Sequence, residues 1–179
     1  EKEIIQAKGL DRDNLILMGV GFRFNFAFYS VDYFAGSESG YGFHYNLNPG
    51  MNWGTDKWGP KPVSPAYAAM TFLLEGKKSA GAIEWLGNTA LGYVYERGDD
   101  VTLALWDWGE EPRAVSLPVG AEKVTVYDWM GNAREAATDR SLLQVEIGQE
   151  PVYVTGVSAK LWGSGAQKPV QTIAPRLVG

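Results

Sequence analysis

The chain begins with two segments whose hydrophobic patterns differ: the first is typical of a helix and the second of a strand. Residues 3–20 lack proline, are apolar nearly all round in their second half, and end at Gly19 and Gly21, which predicts a buried helix with a glycine stop. Residues 22–30 then carry phenylalanine at every second position from Phe22 to Phe28. This period of two predicts a strand whose aromatic face is core.

The segment that follows the predicted strand has no regular hydrophobic period. Residues 30–63 are rich in Gly, Ser, Asn, Pro and aromatic side chains, and a connection of that length far exceeds the usual length of about 4–6 residues. Loops this long are usually functional or disordered. The Ser64-Pro65 pair then predicts a helix start, and an amphipathic pattern over 64–80 predicts a helix stopped near Gly76 or Gly81.

Beyond Gly81 the pattern changes to short β-rich runs separated by turn residues, which predicts about seven strands in an antiparallel β-sandwich. The runs are AIEWLG (82–87), TALGYVYERG (89–98), VTLALWDWG (101–109), AVSLPVG (114–120), KVTVYDWMGN (123–132), SLLQVEIG (141–148) and PVYVTGV (151–157). Residues 158–179 have little period and are expected to form a tail.

Charge and composition exclude several classes of function. The formal net charge is −5 and the pI is about 4.9, the wrong sign for neutralising phosphates, so nucleic acid is not expected as a partner. No Cys and a single His, His44, exclude thiolate nucleophiles, Cys-ligated zinc and multi-histidine metal sites. No stretch reaches 18 uninterrupted apolar residues, so no membrane span is expected.

Several motifs resemble the C-terminal part of clan A glycoside hydrolases, in which a (β/α)8 barrel precedes a β-sandwich. The resemblance covers residues 3–157. The segments that carry it are QAKGLDRDNLILMGVGFRFNFAFYSVDY (6–33), the tryptophan-bearing loop, GPKPVSPAYAAMTFLLEG (59–76), VYDWMGNA (126–133) and EPVYVTG (150–156). A complete barrel takes about 250 residues, so only its last quarter fits this chain.

The resemblance implies a fold class of α/β plus all-β. Residues 3–20 would be the seventh barrel helix, 22–30 the eighth strand, 30–63 the eighth βα loop and 64–80 the eighth helix of a TIM barrel. The implied domains are the barrel segment 1–80, the antiparallel β-sandwich 81–157 and a tail or linker 158–179.

The implied activity is hydrolysis of O-glycosidic bonds in oligo- or polysaccharides by a retaining mechanism. Family members carry an acid/base Glu after the fourth strand and a nucleophile Glu after the seventh. Neither can be assigned here, so no catalytic residue is expected in this chain, and no cofactor or metal. The implied partner is an N-terminal barrel portion, as a second chain or fragment. Glu1 and Glu3 are expected to stabilise a helix dipole instead.

More than half of the 7 Phe, 9 Tyr and 7 Trp lie between Phe22 and Trp58. Flat aromatic rings stack on the apolar C–H faces of sugars, and a few polar groups then orient the hydroxyls. The candidate substrate-binding residues are Tyr29, Asp32, Tyr33, His44, Trp53 and Trp58. Packing of the tyrosines, turn capping by Asp32 and a structural role for His44 remain alternatives.

A second hypothesis is a non-catalytic carbohydrate-binding or structural β-sandwich module. Four tryptophans of the β-rich half could form a glycan-binding surface, although core filling is the favoured interpretation. They are Trp85, Trp106, Trp108 and Trp129. The period of two predicts that Trp106 and Trp108 are buried or exposed together.

Overall fold

The computed structural model describes residues 1–22, 42–45, 59–87 and 89–164. These residues form three α-helices, one 3-10 turn and eight strands. In chain order they are α1 (Lys2–Gly19), α2 (Val63–Leu74), β1 (Lys78–Ala82), the 3-10 turn (Glu84–Leu86), β2 (Ala90–Arg97), β3 (Asp100–Asp107), β4 (Arg113–Pro118), β5 (Lys123–Tyr127), β6 (Ala133–Ala137), β7 (Leu142–Ile147), β8 (Val152–Thr155) and α3 (Ala159–Trp162).

The strands form two sheets. One has six strands in the order β1-β2-β3-β8-β5-β6, and the other pairs β4 with β7. Every strand pairing in the described part of the chain is antiparallel. Apolar side chains from both sheets form one continuous core, which includes Leu103, Leu105, Leu117, Leu143, Ile147 and Val154. The predicted antiparallel β-rich half is therefore confirmed.

The two long helices cover the opposite face of the six-stranded sheet. Leu15 of α1 and Met70 of α2 pack against an aromatic surface of the sheet, and the Tyr95 hydroxyl donates a hydrogen bond to the Leu15 carbonyl at 2.5 Å. The rings of that surface are Tyr93, Tyr95, Trp106 and Tyr153. The helices, the large sheet and the small sheet thus form three packed layers, with a core on each side of the large sheet.

The second helix begins one residue earlier than predicted and ends near the first of its two predicted glycine stops, Gly76. It starts at Val63, so Ser64 lies within its first turn. The Ser64 hydroxyl donates to the Phe43 carbonyl at 2.7 Å instead of capping the helix. The helix ends at Leu74 because Gly76 takes a positive φ of 69° and residues from Lys78 onward pair with β2.

Three predictions in the β-rich half are wrong in detail. AIEWLG forms the 3-10 turn, which buries Leu86 between the sheets. The edge strand β6 has no alternating hydrophobic pattern that would predict it, because Ala136 is its only buried residue. The predicted tail contains α3, where Trp162 is buried and donates its indole N–H to the Pro118 carbonyl at 2.7 Å.

The tryptophans divide between core and surface. Trp106 is fully buried whereas Trp108 is 47% exposed, so the predicted shared environment of the pair is wrong. The reason is that β3 ends at Asp107, and the strand alternation ends with it. Trp85 packs on the core between the sheets, and Trp129 packs beside Ala66 near the helices. Core filling is thus confirmed for Trp106, whereas Trp85 and Trp129 are half-buried at the edges of two cores.

The predicted strand 22–30 lies outside the described residues except for Phe22. The proposed domain boundary at 80/81 falls within β1, and the division into domains stays a prediction. Among the helices described, none combines the length and apolar character needed to cross a bilayer.

Gly19 ends α1 directly against the sheet. A Cβ atom at this position would lie against the ring carbons of Tyr93, closer than two carbon atoms can approach. We expect Gly19→Ala to lower the free energy of unfolding by about 1–3 kcal/mol through overpacking. Urea unfolding followed by tryptophan fluorescence measures the change.

Gly9 in the same helix is the matched control. A Cβ there would have no atom within 4 Å, so Gly9→Ala should stabilise the protein by up to about 1 kcal/mol through helix propensity alone. Equal effects of the two substitutions would show that Gly19 is not needed for the approach of helix and sheet.

Asp11 is an ionisable group inside the contact between α1 and the sheet. Its side chain is fully buried, and neither carboxyl oxygen has a hydrogen-bond partner among the described residues. Burial raises the pKa of Asp11 to about 7. Burial, followed by the charge of Asp11, also raises the pKa of Tyr153. The contact between α1 and the sheet is therefore most favourable when Asp11 is neutral.

The stability of the protein should fall with rising pH because of this group. Between about pH 4 and pH 7 the folded state keeps a proton on Asp11 that the unfolded state loses, so the free energy of unfolding decreases by a few kcal/mol and then levels. Asp11→Asn should remove this component, whereas Asp13→Asn, on the exposed side of α1, should keep it. Equal pH profiles for both variants in urea unfolding would contradict the assignment.

Candidate substrate face

Two short segments meet beside the N-terminal ends of α1 and α2. His44 and Pro60 form an antiparallel β-bridge. The Tyr45 amide donates to the Gly59 carbonyl at 3.0 Å, and the Lys61 amide donates to the Phe43 carbonyl at 2.9 Å. We call residues 42–45 and 59–61 the bridge segments. In the sequence they flank residues 46–58, and their backbone hydrogen bonds hold Tyr45 beside Gly59.

The first turns of α1 hold one bridge segment in place. The Gln6 side-chain amide donates to the Gly42 carbonyl at 3.2 Å, and the Tyr45 hydroxyl donates to the Glu3 carboxylate at 3.3 Å. Glu3 therefore has a second role besides its favourable position in the first turn of a helix. It orients a phenol that carries both an apolar face and a polar group.

The start of α2 holds the same segment from the other side. Besides the Ser64 hydrogen bond to Phe43, the Phe43 ring lies edge-to-face on Tyr67 with ring centroids 5.1 Å apart. Aromatic pairs of this geometry stabilise a fold by about 0.5–1.5 kcal/mol more than the burial of their surface area alone does. The bridge segments are thus fixed to both helices by side-chain contacts.

Lys61 is the most unusual side chain of the bridge segments. It is only 2% exposed, and its ammonium lies 5.5 Å from the centroid of the Tyr45 ring. A cation at that distance is attracted by the negative face of the ring. Glu3, Tyr45 and Lys61 therefore form a connected acid, phenol and ammonium at the helix N-termini.

The structure places only one of the predicted binding residues. His44 is half-buried within the bridge segments, next to Tyr45. The other five lie outside the described residues, and their roles stay predictions: Tyr29, Asp32, Tyr33, Trp53 and Trp58.

Sequence reasoning did not identify Gln6, Tyr45 and Lys61 as parts of this face. Tyr45 could have been found as the aromatic neighbour of His44. Lys61, between two prolines, carries no signal of burial in the sequence, because the contacts that cover it come from other segments of the chain.

A groove of about 880 Å³ lies further along the same helices, toward their C-terminal ends. Its apolar lining comes from both helices, with Leu17, Tyr67, Met70 and Leu74, and from Phe22 just after α1. Lys77, Lys78 and Ser79 add polar groups. Ile5 and Phe72 of the helices also face solvent, as do Val20 and Phe22 after the end of α1.

No group of three or more His, Cys, Asp or Glu side chains suited to a metal occurs within the described ranges. The polar groups of the candidate face can form hydrogen bonds with the hydroxyl groups of a ligand. The Tyr45 ring adds an aromatic surface beside them. The Glu3 carboxylate accepts a hydrogen bond from Tyr45.

Solved structures provide a comparison of the whole fold. A family 39 glycoside hydrolase from the gut symbiont Bacteroides cellulosilyticus WH2 matches 86% of this chain with a TM-score of 0.67 and 16% sequence identity. The family 30 subfamily 8 xylanase Xyn30A from Clostridium acetobutylicum matches 87% with a TM-score of 0.56 and 10% identity. The likeness is one of fold.

This chain spans 30% of the length of the first enzyme and 39% of the second. It therefore has the fold of a part of each. No family model matches the sequence, and no curated protein matches it.

Proposed function

We propose that this chain is the C-terminal portion of a glycoside hydrolase that cleaves O-glycosidic bonds in oligo- or polysaccharides. It supplies the eighth barrel strand, an aromatic sugar-binding loop and the accessory sandwich. The two catalytic Glu residues of a retaining mechanism lie on an N-terminal barrel portion. The observation that carries this proposal is the match of 86% of the chain to 30% of a family 39 glycoside hydrolase.

The arrangement of the helices supports the barrel interpretation. In a (β/α)8 barrel, consecutive helices are neighbours on the outside of the strands, and the loops at the active face lead into helix N-termini. α1 and α2 pack side by side, and the bridge segments lie at their N-terminal ends.

Exposed apolar side chains on the helices support a missing partner. Phe72 of α2 is 77% exposed, and Ile5 of α1 is exposed as well. Helix surfaces of this kind are usually buried against another element. We infer that the N-terminal barrel portion covers them, as a second chain or as another part of the same polypeptide.

The substrate-binding residues in this proposal are Tyr29, Asp32, Tyr33, His44, Trp53 and Trp58. The bridge at His44 supports a role for the two tryptophans because it holds the ends of residues 46–58 beside the helix N-termini. Aromatic rings presented there would contact sugars at the active face of the barrel.

A non-catalytic carbohydrate-binding or structural module is the second candidate. One observation favours it: the two sheets enclose a core of their own, made of side chains from residues 80–162. The helices argue for the enzyme, because they add a second, aromatic core on the other face of the large sheet.

The proposal predicts where hydrolysis occurs. The complete protein, with its barrel, should hydrolyse aryl glycosides, whereas the 179-residue chain alone should be inert, because one loop cannot hold two carboxyl groups about 5–5.5 Å apart across a glycosidic bond. Release of the aryl alcohol measures both. Turnover by the isolated chain above a protein-free control would contradict the placement of the catalytic residues. Glycan binding without hydrolysis by the complete protein would favour the module.

The aromatic loop should contribute to binding. In the complete protein, Trp53→Ala and Trp58→Ala should each weaken oligosaccharide affinity several-fold, because one stacked ring contributes on the order of 0.5–1.5 kcal/mol. Trp162→Phe, in α3, is the control for loss of an indole elsewhere and should leave KM unchanged. If both alanine variants keep the wild-type kcat and KM, these tryptophans are structural.

A further inference from the structure

We propose that Trp108, held in place by Arg12, is a binding platform for a pyranose ring of a neutral glycan, separate from the candidate substrate face. The choice of ligand class rests on the proposed function, whereas the geometry of the platform does not. Arg12 lies nine residues beyond Glu3 on α1, which is about 13 Å along the helix. A single sugar ring therefore cannot contact both sites.

Trp108 is presented at the end of a central strand of the large sheet. Its amide donates to the Thr89 carbonyl at 2.8 Å, and the next amide, that of Gly109, donates to the Asp107 carboxylate at 2.7 Å. The backbone on both sides is thus fixed while the side chain is 47% exposed. Trp108 thus combines an exposed side chain with a backbone that is fixed by hydrogen bonds at the end of a strand.

Arg12 fixes the orientation of the ring. The guanidinium carbon lies 4.1 Å from the centroid of the Trp108 ring, within the range of a cation–π contact. The guanidinium itself donates to the Lys8 carbonyl at 3.1 Å and to the Gln149 carbonyl at 3.4 Å. Arg12 is only 9% exposed, so it supports one side of the ring, and much of the remaining surface stays open.

A ring held in this way is suited to stacking. Ordering a side chain on binding has an entropic cost, and a ring that is already oriented avoids most of it. The open surface of the indole is flat and apolar, which matches the C–H face of a pyranose. This is the same complementarity that makes aromatic rings common in ligand sites.

Polar groups beside the platform can bind hydroxyls. Glu150 forms an ion pair with Lys8, and its side chain is 41% exposed. The Gln149 side-chain amide donates to the Gly109 carbonyl at 3.4 Å. These groups belong to the contacts of Arg12 and Gly109, which adjoin Trp108, and together with the ring they suit a ligand that carries both an apolar face and hydroxyl groups.

A protein partner fits this surface less well. A stable protein interface buries about 800 Å² per partner around an apolar centre that is depleted of charge. Trp108 instead lies against the Arg12 guanidinium, which contacts the Lys8 carbonyl, and Lys8 in turn pairs with Glu150. A small area with charges at its edge favours a sugar ring over a protein surface.

The test is a titration of the 179-residue chain with xylohexaose and with cellohexaose, followed by NMR of the tryptophan indole N–H groups. Trp108→Phe identifies the Trp108 resonance. We expect that resonance to shift saturably with at least one of the two sugars. Trp108→Ala should then weaken the affinity about three- to tenfold, and Trp108→Phe should keep it within about twofold.

Phe72→Ala is the matched control, because Phe72 is also an exposed aromatic side chain but lies on α2. It should leave the affinity unchanged. The proposal is overturned if neither hexaose moves the Trp108 resonance, or if Trp108→Ala binds as the wild type does. It is also overturned if Trp108→Ala changes the oligomeric state in size-exclusion chromatography and leaves sugar binding intact, which would identify a protein contact.

The two proposals can fail separately. Sugar binding at the candidate substrate face would shift other indole resonances and leave that of Trp108 in place, which contradicts the platform and supports the proposed function. A shift of Trp108 in a protein whose complete form hydrolyses no glycoside supports the platform and contradicts the enzyme.

Discussion

The packing of α1 onto the aromatic face of the six-stranded sheet is the contact on which the other features depend. Leu15 fits among Tyr93, Tyr95, Trp106 and Tyr153, and the Tyr95 hydroxyl satisfies the Leu15 carbonyl. Gly19 permits the close approach of the Tyr93 ring. Burial of large aromatic side chains is the dominant favourable term at such a contact. The buried Asp11 opposes it whenever its carboxyl group is ionised.

This one helix also positions two different surfaces. Its first turns hold the bridge segments through Glu3 and Gln6, and its middle supports Trp108 through Arg12. Because the helix is fixed by the sheet, both surfaces are held on the same rigid element. Sites built on rigid elements are more precise than sites on loops alone. In the proposed glycoside hydrolase, two separate contacts for the polymer would share this support.

The structure also explains why the two halves of the sequence have different patterns. The β-rich half alternates because each strand has one face toward the core between the sheets. The large sheet, however, is covered on both faces, so β3 is buried at every position after the first, and β2 is buried over the continuous run 92–95. Their runs therefore combine aliphatic residues on one side with aromatic residues on the other. The aromatic residues lie on the face against which α1 and α2 pack.

The sequence by itself determined the elements with strong local signals: α1 with its glycine stop, the turn-separated strands β2, β3, β4, β5, β7 and β8, and the absence of thiol chemistry. Tertiary structure decided what local pattern cannot encode. Lys78–Ala82 becomes a strand because β2 offers an edge, and α2 therefore ends at Leu74. Lys61 and Trp162 are buried, and Asp11 has a raised pKa, because distant segments cover them. Trp106 and Trp108 separate because a strand end, and not the period of two, sets exposure at position 108.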